Sequence, residues 1–300
     1  MQSPRLVKPD GAWREGLARL AVGTARADDA VGSAAPDNGD AEEEENERER
    51  KQQKTAEDPF LNPPETNNGD GVSAVYNPYD WLRREVTPDL SRYVVQDAAG
   101  EVIGYEAVRI ELSSDERLGD FIRLTRRSEY PPFTEVELWM YADSLQPRSL
   151  VRERWAESAP DVSSLAEETL EVDYLFDRVT VRHESGGVAT TRQFRQLPNS
   201  FDQEQLVLLL RLLQCDHDDW PFEAAVTNPL RAGQVPLVIG KPEREYLMSA
   251  QPESCKCWRL TMQLGDRELT WWVERLPPYR LVKYVDGDTS YTLFQYLEQP

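Results

Sequence analysis

The chain has 300 residues, with 34 Lys and Arg against 54 Asp and Glu, a net charge of −20, and a hydrophobic share of 39%. A balance this acidic excludes a nucleic-acid protein, which needs a basic face to displace counterions, and gives no attraction to an anionic membrane surface. Three cysteines exclude a disulfide-stapled scaffold, and no apolar run approaches the roughly 20 residues of a transmembrane helix.

The first 70 residues carry 9 basic and 16 acidic residues and almost no apolar periodicity. Such a segment buries too little surface to offset the entropy of ordering it, so residues 1–71 read as a disordered acidic N-terminal tail. A tail of this kind is also a candidate contact for a protein partner. Residues 17–25 are short and fairly apolar and end at Ala25-Arg26-Ala27. Arg19 interrupts that run, and Glu15 stands where a signal peptide carries basic residues, so no clear signal peptide is expected and the sequence reads as cytoplasmic.

From residue 75 to residue 300 the pattern is that of a single β-rich domain. Short apolar or alternating runs are separated by turn signals, which predicts antiparallel strands. These fall at 93–96, 102–112, 121–126, 134–141, 148–155, 172–176, 178–183, 188–194, 235–239, 246–248, 257–264, 268–274, 279–285 and 290–296. Asp97-Ala98-Ala99-Gly100, Gly186-Gly187, Gly265-Asp266 and Asp286-Gly287 supply the tight turns.

A helix is predicted at about 202–214. Asp202 can cap its start with Gln205 three residues on, ahead of Leu206-Val207-Leu208-Leu209-Leu210-Arg211-Leu212-Leu213. That run is apolar nearly all round, so the helix is expected to be buried. It reads either as a core helix plugging the sheet or as a mobile hydrophobic lid. Residues 137–152 can be laid over 268–283 without a gap, with six identities that include Glu137/Glu268, Leu138/Leu269, Pro147/Pro278 and Leu150/Leu281. Each copy reads as strand, proline-marked turn, strand. Asp143 is placed to pair with Arg152, and Glu274 with Lys283. The fold expected is therefore mostly β: a large curved antiparallel sheet or open half-barrel with one buried apolar helix and an internal strand-turn-strand repeat.

Chemistry-bearing motifs are sparse. There is no glycine-rich phosphate loop, no Gly-x-Ser-x-Gly elbow and no nucleophile–base spacing. His183 reads as structural, and Asp216-His217-Asp218-Asp219 as a solvated loop without metal spacing. Cys255-Lys256-Cys257 lacks the second pair of a zinc site; on one strand the two thiols share a face. No catalytic residue, cofactor or metal ligand is assigned, and an enzyme is not expected. The aromatic residues are more informative. Alternation puts Trp139 on one face with Tyr141, puts Trp271 with Val273, and prevents Trp271 and Trp272 from both facing the core. Trp139, Tyr141, Trp271, Trp272, Leu209 and Leu213 are the candidate lining of a ligand site, the alternative being an aromatic patch covered by the helix.

The run Trp271-Trp272-Val273-Glu274, with Pro278 and Leu281-Val282-Lys283-Tyr284, resembles the C-terminal signature of the bacterial domain-of-unknown-function family numbered 3108. Gly100-Glu101-Val102-Ile103-Gly104 is similar to that family's early Gly-x-x-x-Gly hairpin, and Tyr141-Ala142-Asp143-Ser144-Leu145-Gln146-Pro147 to its aspartate-x-leucine-x-proline turn. The helix at 202–213 and the strand with Cys257-Trp258 follow in the same order. The resemblance spans about 76–298. It implies no known activity, a fold like the open, lipid-accommodating half-barrels of lipoprotein carriers, and a place in the cell envelope or outside the cell. The function expected is a non-enzymatic binding protein for a lipid or other hydrophobic small molecule. The alternative is a structural or protein-interaction module that uses the acidic tail or an exposed sheet edge.

Overall fold

The structure, a computed structural model, describes residues 77–298 apart from 84, 118, 157–165, 232 and 249–253. The expected tail at 1–71 lies outside the described residues, as do residues 75–76 and 299–300 of the expected domain.

Alternating apolar residues and glycine-marked turns produce a long meander. Its first half runs β1 (Asp89–Gln96), β2 (Val102–Asp115), β3 (Gly119–Ser128), β4 (Phe133–Tyr141), β5 (Pro147–Trp155), β6 (Glu168–Leu175), β7 (Arg178–Ser185) and β8 (Val188–Arg195). After β9 (Phe201–Asp202) comes helix α1 (Leu206–Leu212). The second half is β10 (Phe222–Asn228), β11 (Gly233–Ile239), β12 (Glu243–Met248), β13 (Ser254–Leu264), β14 (Arg267–Glu274), β15 (Leu281–Asp286) and β16 (Thr289–Glu298). Among the described residues these strands form one sheet in the order β8-β7-β6-β5-β4-β3-β2-β1-β16-β15-β14-β13-β11-β10-β9, with β12 attached to β13. All pairings are antiparallel except the two-residue pairing of β9 with β10.

The sheet is strongly curled. Four inter-strand spacings separate β3 from β15, about 19 Å on a flat sheet. Yet Arg126 of β3 donates to the Tyr284 hydroxyl of β15 at 3.4 Å. Tyr174 of β6 likewise donates to Asp202 of β9, at the far end of the strand order. The two edges, β8 and β9, are not hydrogen-bonded to each other but are joined by only five residues, 196–200, which reach roughly 20 Å at most. The result is a barrel-like sheet with an unpaired seam.

One face of the sheet carries a single contiguous core, to which α1, Tyr79, Trp81 and Leu82 also belong. Two positions in the first hairpins show why glycine is needed. Gly100 has φ +82° in the turn, where Asp97 Oδ1 accepts from Ala99 and Glu101 N–H, both at 2.9 Å. A Cβ on Gly104 would sit 2.4 Å from Tyr130 Cβ, so glycine lets the β3–β4 connection close onto β2.

Several details depart from the sequence expectation. β10 was not predicted, because its Phe222-Glu223-Ala224-Ala225-Val226 lacks clean alternation. Regular helix occupies only 206–212 of the expected 202–214; Asp202 to Gln205 form a tighter turn ahead of it. The expected capping contacts are nonetheless present: Glu204 N–H donates to Asp202 Oδ1 at 2.7 Å, and Gln205 Oε1 accepts from Asp202 N–H at 3.1 Å. The repeat holds for the first strand of each copy, where Leu138 and Met140 match Leu269 and Trp271 as buried residues. It fails at the turns. Leu145 is fully buried at φ 59°, whereas its counterpart Leu276 is exposed. Tyr279, expected to open a strand, has φ 55° and closes the turn, its N–H donating to Leu276. The expected hairpin pairs are also corrected. Glu274 is held by Arg280 rather than Lys283, and Arg152 stands opposite Val136, seven residues before Asp143 on the neighbouring strand.

Candidate ligand-binding site

Register divides the inner face into rungs of different chemistry. One rung runs Ile110, Leu124, Leu138, Leu150, Val172 and Val181 across β2 to β7, and each of these residues is at most 3% exposed. The next, two residues along each strand, runs Val108, Arg126, Val136, Arg152, Leu170 and His183. The one beyond includes Glu106, Ser128, Thr134, Arg154, Glu168 and Ser185. Since two strand residues advance about 6.7 Å, the interior passes from wholly apolar to charged within about 14 Å.

The charged end is a hydrogen-bonded cluster. Arg126 binds Glu106 at 2.9 Å and Glu204 at 3.1 Å. Glu106 is almost fully buried and also accepts from the Tyr284 hydroxyl. Burial and the Glu106 carboxylate hold the Tyr284 phenol well above its ordinary range, so it stays a donor. Tyr284 lies in an aromatic stack with Trp271 at 4.9 Å and Tyr291 at 4.0 Å, and Tyr291 shares a 3.0 Å hydrogen bond with Tyr130. Glu168 is held by Arg154 at 3.2 Å and by His183 at 3.0 Å.

Helix α1 belongs to the same buried core and approaches β14 and β15. All seven of its residues are buried. Its start is tied by Gln205, which donates to the Leu145 carbonyl, and by Asp202, which accepts from Tyr174. Burial pushes the Asp202 carboxyl up to about 7, only partly opposed by the Tyr174 hydrogen bond. At its end, Arg211 forms a buried ion pair with Asp89 of β1 at 2.6 Å. Beside it, Leu82, Phe201, Leu206, Leu209, Leu210, Leu213, Phe222 and Leu237 line a small, partly open apolar gap of about 10 Å³, room for roughly one water molecule.

The sequence-predicted lining residues are not gathered in one place. Leu209 and Leu213 border the gap, and Trp271 is buried on the inner face within the aromatic stack. Trp139, Tyr141 and Trp272 point outward. Trp139 donates to Glu137 at 2.6 Å beside Phe121, which also meets Tyr141; Trp272 donates to Glu245 at 3.0 Å under Lys283. Cys255 and Cys257 share the outer face, Cys255 lying 3.1 Å from Glu274. His217 stacks on Trp81 at 4.2 Å. Among the described residues no three His, Cys, Asp or Glu side chains converge as a metal site, and no helix is long and apolar enough to cross a membrane. Sequence reasoning missed Arg126, Glu106, Glu204 and Arg152. For Arg126, Glu106 and Arg152 the available signal was parity: a charged residue at an even spacing from core residues on a predicted strand shares their face; Glu204, in the turn before α1, carried no such signal.

No family model matches the chain, and no curated protein matches it. A solved structure from Brucella abortus, a β-barrel-like protein of the domain-of-unknown-function family DUF1849, is similar at 11% identity and a TM-score of 0.45. The match covers 73% of this chain and 100% of that one.

Proposed function

We propose that this chain is a non-enzymatic binding protein that holds a lipid-like ligand inside the curl of its sheet, with α1 as the cover. The observation that carries the reading is the graded inner face, an apolar floor adjoining a charged, aromatic rim. A gap the size of one water cannot hold an acyl chain, so the ligand enters as α1 moves. Three features suit α1 to that movement. Seven residues are too few for independent helicity, its ends are tied by a handful of polar contacts, and an apolar gap already adjoins it. The resemblance of 271–284 to family 3108, whose fold looks lipid-accommodating, supports the same reading. The test is native mass spectrometry of protein purified without detergent, with titration of a hydrophobic fluorescent dye. A co-purifying lipid, or saturable dye binding displaced by long-chain lipid, is expected. Absence of both overturns the reading.

A second reading, a protein-interaction module, is favoured by β8. Seven of its eight residues are exposed, and it ends the sheet with an unpaired edge, the geometry that accepts an added strand. Pull-downs with the full chain, with residues 1–71 removed, and with T191K/Q193K distinguish tail from edge. Loss of a partner only in the last assigns it to the edge.

A further inference from the structure

We infer that Arg152 anchors the anionic head group of the ligand, so that the molecule held here is a long-chain amphiphile ending in a carboxylate or phosphate. The inference rests on the ligand-holding reading above and sharpens it.

Arg152 lies in the middle of β5, and its cross-strand neighbours are Val136 on β4 and Leu170 on β6, both core residues. Directly paired residues share a face, so the guanidinium belongs to the interior. The other interior arginines are compensated: Arg126 by Glu106 and Glu204, Arg154 by Glu168, and Arg211 by Asp89. Arg152 has no carboxylate partner among the described residues. The nearest acidic residue on the inner face of the facing strand, Glu168, is already engaged by Arg154 and His183.

A guanidinium at the edge of an apolar face, with its charge uncompensated by the protein, gains from an anion that brings its own apolar chain. Arg152 is only half-buried, so a solute can reach it. The planar guanidinium presents paired N–H groups that match the two oxygens of a carboxylate or phosphate. Two residues away on the same strand is Leu150, flanked by Leu138 and Val172, all three fully buried in the floor. A head group on Arg152 therefore places the first carbons of its chain about 6.7 Å along, over that floor. A free anion would use the arginine and leave the floor unused; a neutral lipid would do the reverse.

The test measures dissociation constants of purified full-length protein for palmitate, hexadecyl phosphate, hexadecanol, acetate and inorganic phosphate, in wild type, R152Q and R152K. Folding of each variant is checked by thermal melting. Wild type is expected to bind palmitate or hexadecyl phosphate at least about tenfold more tightly than hexadecanol, as expected for a charge-assisted hydrogen-bond pair. R152Q is expected to reduce that ratio to about one without weakening hexadecanol, and R152K to retain part of it. Whichever anionic amphiphile shows the larger ratio identifies the head group. A ratio of one in wild type, or one that survives R152Q, overturns the role of Arg152 while leaving the binding function standing. Acetate or phosphate binding as tightly as the long-chain ligands overturns the amphiphile. Failure of all three long-chain compounds, hexadecanol included, overturns the ligand-holding function itself. Should R152Q not fold, the wild-type ratio and R152K decide.

Discussion

Asp202 is fully buried, and its partner is a phenol rather than a cation. Its folded pKa, about 7, lies above the 3.8 of an exposed aspartate. Between those values the folded protein keeps a proton that the unfolded chain has lost. The contribution of Asp202 to stability is therefore complete below about pH 4 and lost as pH rises to about 7. Asp202→Asn removes the titrating carboxyl while keeping one of its two acceptor oxygens, so denaturant midpoints between pH 4 and 8 should show a smaller decline than in wild type. An unchanged slope would place the proton elsewhere. The Arg211–Asp89 pair behaves differently. Each charge compensates the other, and Ser91 supplies a further hydrogen bond to Asp89 at 3.1 Å. Asp89→Ala strands a buried guanidinium and should cost about 3–5 kcal/mol. Replacing both partners with Leu and Met should recover most of that, as read by urea unfolding.

At the scale of elements, β14 illustrates how one strand serves two faces. Trp271 is buried among Tyr284 and its neighbours, while Trp272 is half-buried outside between Glu245 and Lys283. Trp271→Ala should cost about 3–5 kcal/mol through cavity formation; Trp272→Ala should cost about 1 kcal/mol. Trp271→Phe is the sharper test, because the indole N–H is buried with no acceptor among the described residues. Removing an unsatisfied donor offsets part of the lost ring contact, so its cost in equilibrium unfolding should be well below that of Trp271→Ala. Helix α1 and the turn before it show a comparable division of labour. The leucines supply burial, whereas position is set by Gln205, Asp202 and Arg211, each reaching a different part of the fold.

At the scale of the whole molecule, curl and seam determine which parts are stable. β1 and β2 are paired on both sides, and their inner residues reach the core; β8 is paired on one side and exposed. Backbone amides of β1 and β2 should therefore exchange hydrogen most slowly, and those of β8 at rates close to local fraying. Hydrogen exchange followed by mass spectrometry reads this directly. Equal protection across both would mean that β8 is covered in solution, as the strand-addition reading requires of the bound form.

The amino-acid sequence by itself determined most of the strands, though not β9 or β10, because alternation with period two and glycine- or aspartate-marked turns are local signals. It also determined that Trp271 and Trp272 are split between faces and that one apolar helix follows the Asp202–Gln205 turn. Only the tertiary structure decided how those strands assemble. The curl that brings Arg126 to Tyr284 and Tyr174 to Asp202 joins residues more than 25 positions apart, and no local pattern encodes such pairing. The departure of the repeat at Leu145 and Leu276 is of the same kind, since turn geometry and packing against α1 override sequence likeness. The charged rungs were hidden for a simpler reason: Arg152 looks like any solvated arginine until register sets it between Val136 and Leu170. A strand discloses its alternation, but which face turns inward, and what lies opposite each residue, is decided by the sheet that closes around it.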